Sequence, residues 1–262
     1  MNCRLSEPQE TTGPSVSYSR TRPYISNLLR VFPPSGFRNL RILDLGCGPQ
    51  FQDLLFFEEL GASLCVGIDM VGVMSKPNEG SQTSLVRADI DDFHLPMSDR
   101  TFDLVLLHNV LEHLHSPLGV LEESKRVLKS GGFLSLITEN HAALKNRVRL
   151  VLGGSVHFPL WRFISPEDHV VKSGRSVFIG HVREYTTSEL RYLVSKAGLE
   201  VESMMLHPAA SKSGRDFSKL SGSRADSITR LSESGLLFSL YHIAELAVPS
   251  WRYMVTLVAK KK

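Results

Sequence analysis

The sequence predicts an α/β fold, a three-layer sandwich built around a seven-stranded, mostly parallel sheet. Three observations predict it. From about residue 40 the apolar segments alternate between strand-like and helix-like spacing. The strand-like segments run apolar without polar alternation, as strands covered on both faces do. Acidic residues, Asp69 and Asp89 among them, stand where such segments end, which is where ligands bind in sheets of this kind.

The elements follow in order. Residues 1–35 read as a leader, rich in Ser, Thr and Pro, that ends in a helix over 22–31. The main domain is expected over 36–262. RILDLG is its first strand, and FQDLLFFEELGA is a helix ending at Gly61. SLCVGIDM, TSLVRADI and TFDLVLLHNV are the second, third and fourth strands. PLGVLEESKRVLKSGG has a proline near its start and glycines past its end, the asymmetry of a helix, and GFLSLITEN is the fifth strand. In TTSELRYLVSKAG, Thr186 and Glu189 are spaced as a capping box. LEVESMMLH and RYMVTLVAKKK are the last two strands, separated by a polar Ser- and Gly-rich stretch.

Bulk properties narrow the function. The chain has 262 residues, 42% hydrophobic and 22% charged, which is soluble globular composition. A net charge of +3 is too small to argue for a nucleic-acid partner. Cys3, Cys47 and Cys65 are too few and too scattered for a disulfide framework or a zinc site, so no metal is expected and a reducing cytoplasm fits best. The N-terminus lacks the apolar run of a secretory signal. GLLFSLYHIAELAV, residues 235–248, is too short to span a bilayer and carries His242 and Glu245. Packing against the core or a partner is expected to use it, with a membrane surface as the alternative.

The chemistry concentrates at RILDLGCGPQF, residues 41–51. The turn Gly46-Cys47-Gly48 permits positive φ and close approach of a ligand to the backbone, and the helix behind it offers unpaired N–H groups. Asp69 follows about twenty residues later, where nucleotide-binding folds place a carboxylate for ribose hydroxyls. Asp89 with Ile90 suits an adenine, one accepting from the exocyclic amine and the other packing on the ring. Asp44 separates two classes of ligand. A carboxylate beside this turn repels a pyrophosphate but tolerates a cofactor with a cationic amino group or sulfonium, and S-adenosylmethionine is such a cofactor. Plain turn glycines and buried structural acids remain the alternatives.

ILDLGCGPQ, VGIDM, RADIDDFHLPMSDRTFDLVLLHNVLEHL, VLEESKRVLKSGGFLSLIT and HVREYTTSELRYLVSKAGLEVE resemble, in order and spacing, the class I S-adenosylmethionine-dependent methyltransferases, in the branch called methyltransferase type 11 or 12. The resemblance implies a Rossmann-like sheet whose last strand is antiparallel and inserted beside the fifth. It also implies S-adenosyl-L-methionine as cofactor. The glycine loop maps to Asp44, Gly46, Cys47 and Gly48, and the ribose acid to Asp69 followed by Met70. The adenine pair maps to Asp89 and Ile90. The segment that meets the methionine amino group maps to Leu107, His108 and Asn109. Gln50 departs from the family pattern, which has glycine at that place.

Family members carry acceptor-binding parts after strands four and five and before the last strand, here expected over about 140–185 and 208–234. The first holds Lys145, Arg147, Arg149, Arg162, Lys172, Arg175 and Arg183, suited to an anionic acceptor. His181 is the first candidate for a general base and His108 the second, since histidine titrates near neutral pH; His113 is expected to pack or cap. The expected function is O-methylation of a small-molecule, glycan or glycoconjugate acceptor. Two other readings stay open: a binding module with this fold that has lost catalysis, and a nicotinamide-dependent oxidoreductase.

Overall fold

The computed structural model of the chain describes residues 22–32, 34–70, 77, 79–91, 94–157, 160–166, 169–172, 175–208 and 243–262. The expected leader over 1–21 and nearly all of the expected acceptor segment over 208–234 lie outside the described residues.

Seven strands form one sheet: β1 (Arg41–Leu45), β2 (Leu64–Asp69), β3 (Thr83–Arg87), β4 (Phe102–His108), β5 (Leu128–Glu139), β8 (Glu200–His207) and β9 (Met254–Lys260). Their order is β3-β2-β1-β4-β5-β9-β8. β1 pairs parallel with β2 and β4, β2 with β3, and β4 with β5. β9 enters between β5 and β8 and runs antiparallel to both. This is the expected seven-stranded architecture with its reversed last strand. β6 (His169–Lys172) and β7 (Arg175–Phe178) form a separate antiparallel hairpin.

Alternation along the strands sorts the core into two layers. Leu43, Leu45, Val105, Leu107, Leu134 and Leu136 face one side, with α3 (Pro117–Val127) and α6 (Thr187–Lys196). Ile42, Leu104 and Leu106 face the other, with α1 (Arg22–Val31) and α2 (Gln52–Glu59). The helix expected as the end of the leader is therefore packed into the sandwich. Leu28 is buried, and the Asn27 side-chain amide donates to the Thr256 carbonyl of β9 at 3.1 Å. At α6 the expected capping box is present, with the Thr186 N–H donating to Glu189 Oε2 at 2.8 Å.

Two boundaries differ from the sequence reading. β5 begins at Leu128, inside the stretch expected to end the preceding helix. Leu128 pairs with Phe102, and the register shifts before Leu104 meets Phe133, so Gly131 (φ +77°) serves a bulged strand start, not a helix end. β3 stops at Arg87, so Asp89 stands in the loop beyond it. The expected insertion over 140–185 contains regular structure of its own: α4 (Leu144–Val151), α5 (Leu160–Ile164) and the β6–β7 hairpin. The ends of the insertion are tied together where Asn140 bridges Tyr185 and the His141 N–H donates to the Tyr185 carbonyl at 3.0 Å.

Under α2, Phe57 is fully buried, 5.2 Å centroid to centroid from both Phe37 and Phe56. Phe57→Ala leaves a cavity that this rigid aromatic group cannot refill, and a loss of about 3–5 kcal/mol is expected. Urea unfolding should show a lower midpoint with an unchanged slope.

Candidate active site

The turn after β1 is built for close approach. Gly46 has φ +77° and Gly48 φ +67°. A Cβ on Gly46 would stand 2.5 Å from Val110 Cγ2, whereas one on Gly48 would meet nothing within 4 Å. Gly46 is thus pressed against the segment that follows β4, and Gly48 borders open space. The Gly46 N–H donates to the Ile68 carbonyl at 2.7 Å, and the Gly48 N–H donates to Asp69 Oδ2 at 2.8 Å. Asp69, expected as the ribose acid, thereby also holds the glycine turn. Cys47 is half-buried, and burial first, then the charges of Asp44 and Asp69, push its thiol up to about 12, so it stays protonated. Gln50, the departure from the family pattern, is exposed, and its Oε1 accepts from the Gln52 side chain at 2.9 Å. Phe51 takes up the reversal of the chain instead, with φ +36° and its ring in the core.

Asp44 is buried on the face of β1 that looks toward α2. Burial, and then the nearby carboxylates of Asp53 and Asp69, raise its pKa well above the usual range. The three acids stand close together beneath the turn. His108, at the end of β4, faces the same way. Its Nδ1 is 2.6 Å from Asp53 Oδ2 and its Nε2 is 2.9 Å from Ser135 Oγ of β5. Both ring nitrogens are engaged and the side chain is 6% exposed. These two contacts tie the His108 ring to α2 on one side and to β5 on the other.

The other expected cofactor contacts line the same edge. Asn109 is exposed and held at φ +55°, with its N–H donating to the Ile137 carbonyl at 2.8 Å. The Met70 carbonyl accepts from Arg87 Nε at 3.3 Å. Asp89 Oδ1 accepts from the Asp91 N–H at 3.0 Å, and Ile90 is half-buried against the core. One carboxylate oxygen of Asp89 therefore shapes its own loop.

A second polar cluster stands on the far side of Val110. The 3₁₀ turn Leu111–His113 follows β4, and the Glu112 carbonyl accepts from the N–H groups of Val182 and Arg183 at 2.8 and 3.2 Å. That pair of bonds brings His181 to the carboxyl end of β4. The His181 ring lies edge-on to His113, 4.8 Å between centroids, and its Nδ1 is 3.6 Å from Glu184 Oε1. His113 Nδ1 lies 2.9 Å from the Ile179 carbonyl. Glu112 is buried, which raises its pKa, and its Oε2 accepts from Thr138 Oγ1 at 2.8 Å. Glu139, at the end of β5, pairs with Lys145 Nζ at 2.7 Å and accepts from the Tyr253 hydroxyl. Burial works against its charge, but Lys145, the Tyr253 hydroxyl and His181 together outweigh it and hold the carboxyl below its usual value.

Glu112, His113 and His181, and likewise Glu139, His181 and Glu184, place ligand atoms within 4.8 Å of one another. Either set suits a divalent cation, which the cysteine-based reading had no means to detect. Asp53, Ser135, Glu112, Glu139 and Glu184 were also missed in the sequence. Asp53 reads there as an ordinary acid in the first turn of a helix, and the others lie in apolar strands or next to motifs assigned to packing.

The methyltransferase domain family matches residues 17–204. An uncharacterized methyltransferase of Schizosaccharomyces pombe is 33% identical over 105 residues, 36% of this chain and 38% of that one. A ubiquinone biosynthesis O-methyltransferase of Cereibacter sphaeroides is 28% identical over 200 residues, 71% of this chain and 72% of that one. The chain thus spans between about a third and three quarters of the length of these relatives. An S-adenosylmethionine-dependent methyltransferase of Mesorhizobium loti has TM-score 0.53 at 17% identity, covering 89% of this chain and 95% of that one. A second solved structure, titled putative S-adenosylmethionine-dependent methyltransferase, from Listeria monocytogenes, has TM-score 0.55 at 18% identity, covering 92% and 99%. The sheet order, the reversed β9, the glycine turn after β1 and the domain match agree: the chain belongs to the methyltransferase domain family and has the fold of the class I S-adenosylmethionine-dependent methyltransferases.

Proposed function

We propose that the chain binds S-adenosyl-L-methionine at the Gly46–Gly48 turn and methylates an oxygen of a small-molecule, glycan or glycoconjugate acceptor. One observation carries this reading: Asp44 is buried under the turn beside Asp53 and Asp69. Such a group of acids disfavours a pyrophosphate and favours a ligand with a positive charge. The open space beyond Gly48 gives a ligand room at the backbone. Gln50 is exposed and paired with Gln52, which weakens one of the grounds, the other being the lack of an unambiguous base, for reading the chain as an inactive binding module.

When bound, the cofactor supplies a methyl group on a sulfonium, open to in-line displacement by a nucleophile. The residues of the chain would divide the remaining work. Asp69 would accept from ribose hydroxyls with the carboxylate that also takes the Gly48 N–H, since a carboxylate accepts several bonds at once. Asp89 and Ile90 would bound the adenine, with Met70 beside the ribose. Asp44 and the Leu107–Asn109 segment would meet the cationic end. His181 would take the acceptor's proton, its ring oriented by Glu184. The relatives named ubiquinone biosynthesis O-methyltransferases support oxygen as the acceptor atom.

The cofactor assignment is tested by thermal shift. At a hundred times its dissociation constant, S-adenosylhomocysteine should stabilise the chain by roughly 2.7 kcal/mol. A response to NADH with none to S-adenosylhomocysteine would reject the assignment.

Asp69→Ala removes both the proposed ribose contact and the anchor of the Gly48 N–H. Calorimetry should show binding weakened by at least about 1.5–3 kcal/mol, the worth of one bond to a charged group. Unchanged affinity would rule out the ribose role.

His181→Ala should slow single turnover by roughly 10²–10⁴, the range of general base catalysis, while cofactor affinity stays nearly unchanged. Repeating the wild-type reaction after chelation separates two uses of the cluster. Turnover that survives chelation supports proton transfer by His181, and turnover that disappears gives the residue to a metal instead.

A further inference from the structure

The sheet face that looks toward α2 carries one line of polar groups through an apolar layer. Asp44 of β1 is in register with Leu106 of β4, and Leu106 with Ser135 of β5. Partners in register share a face, and His108, two positions after Leu106, returns to it. Asp44, His108 and Ser135 thus stand in the layer of Ile42, Leu104 and Leu106. Polar groups in such a layer cost stability unless they are bonded. Asp53, in the first turn of α2, meets this line from the helix side. His108 Nδ1 lies 2.6 Å from Asp53 Oδ2, and His108 Nε2 lies 2.9 Å from Ser135 Oγ. A carboxylate only accepts, so Nδ1 is the donor, and a neutral ring then accepts the Ser135 hydroxyl at Nε2.

These bonds pin α2 to the sheet, and two further facts point beyond pinning. Among the described residues Asp53 Oδ1 has no hydrogen-bond partner, and the side chain is 13% exposed, so a ligand can reach it. Asp53 also stands between Asp44 and the Leu107–Asn109 segment, the two parts proposed to meet the cationic end of the cofactor. It is close enough to Asp44 to raise that acid's pKa, and it holds the residue that precedes Asn109. The other two acids are less suited to a cation. Asp44 is buried, and burial works against its charge. Asp69 takes the Gly48 N–H and is assigned to the ribose. Asp53 is both fixed in place and left with one carboxylate oxygen for a donor.

We propose that Asp53 Oδ1 accepts from the amino group of the cofactor's methionine part, and that His108 and Ser135 are positioning residues that hold the Asp53 carboxylate for it. The proposal rests on the reading of the cofactor as S-adenosyl-L-methionine. A bond from an ammonium to a carboxylate is charge-assisted and stronger than a neutral one. A carboxylate already held by His108 loses little further freedom when the ligand arrives, so more of that bond appears as affinity.

The experiment is calorimetry of the full chain with two ligands, S-adenosylhomocysteine and its analogue in which hydrogen replaces the amino group. Asp53→Asn keeps the shape of the side chain and removes its charge. It should weaken S-adenosylhomocysteine binding by about tenfold to a hundredfold and leave the affinity for the analogue nearly unchanged. His108→Ala and Ser135→Ala should each reduce the preference for the amino-bearing ligand, and His108→Gln, which can still donate to Asp53, should restore part of it. Removing a residue that only pinned α2 would instead lower thermal stability and weaken both ligands alike. Should His108→Ala fail to fold, Asp53→Asn and Ser135→Ala carry the test. Unchanged S-adenosylhomocysteine binding by Asp53→Asn, or an equal loss of both ligands, would overturn the proposal and leave the cofactor reading standing. A wild-type chain that binds no S-adenosylhomocysteine would overturn both.

Discussion

The contact between Gly46 and Val110 sets the distance between the two halves of the candidate site. No side chain fits at Gly46, because its Cβ would stand 2.5 Å from Val110 Cγ2. The turn after β1 and the chain leaving β4 therefore meet backbone against side chain. On one side of this contact lie the glycine turn and Asp69. On the other, two residues on, the Glu112 carbonyl receives the N–H groups of Val182 and Arg183 and carries His181 with them. A larger separation here would move the proposed base away from the proposed cofactor, and positioning errors of about an ångström are costly in group transfer.

Electrostatics then divides the edge of the sheet into two regions. Beneath the glycine turn, Asp44, Asp53 and Asp69 share a small volume, and their mutual repulsion adds to the burial that raises the Asp44 pKa. His108 engages Asp53 at 2.6 Å and ties it to Ser135 of β5, so the acid in the first turn of α2 is held in place. Beyond Val110 the acids are matched instead by Lys145 and the histidines. The first region suits a cationic ligand. The second combines carboxylates with imidazoles, the set that either moves a proton or binds a cation.

The insertion is attached to this edge at both ends. The Asn140–Tyr185 bridge closes it, and the Asn140 side-chain amide donates to the Ser250 and Arg252 carbonyls at 3.1 and 2.8 Å, tying it to the chain entering β9. Its base is therefore well anchored, while α4 and α5 turn apolar groups outward.

By itself the sequence determined the layer architecture, the number of sheet strands and their ends to within a few residues, and the glycine turn with Asp44 and Asp69. These depend on local patterns: unbroken apolar runs, helix stop signals, and acids at strand ends. The resemblance to a known family supplied the reversed last strand, which local patterns do not encode. Only the tertiary structure decided the partners. Asp53 and His108 are 55 positions apart, and His113 and Ile179 are 66 apart, and no periodicity links residues so distant. Gln50 departs from the family's glycine, yet Phe51 takes the left-handed turn and the Gln50 side chain is exposed. Leu150 and Val151 are aliphatic yet exposed. Their exposure follows from how α4 is anchored through buried Asn146, because the face a helix presents is set by what holds it, and composition does not carry that information.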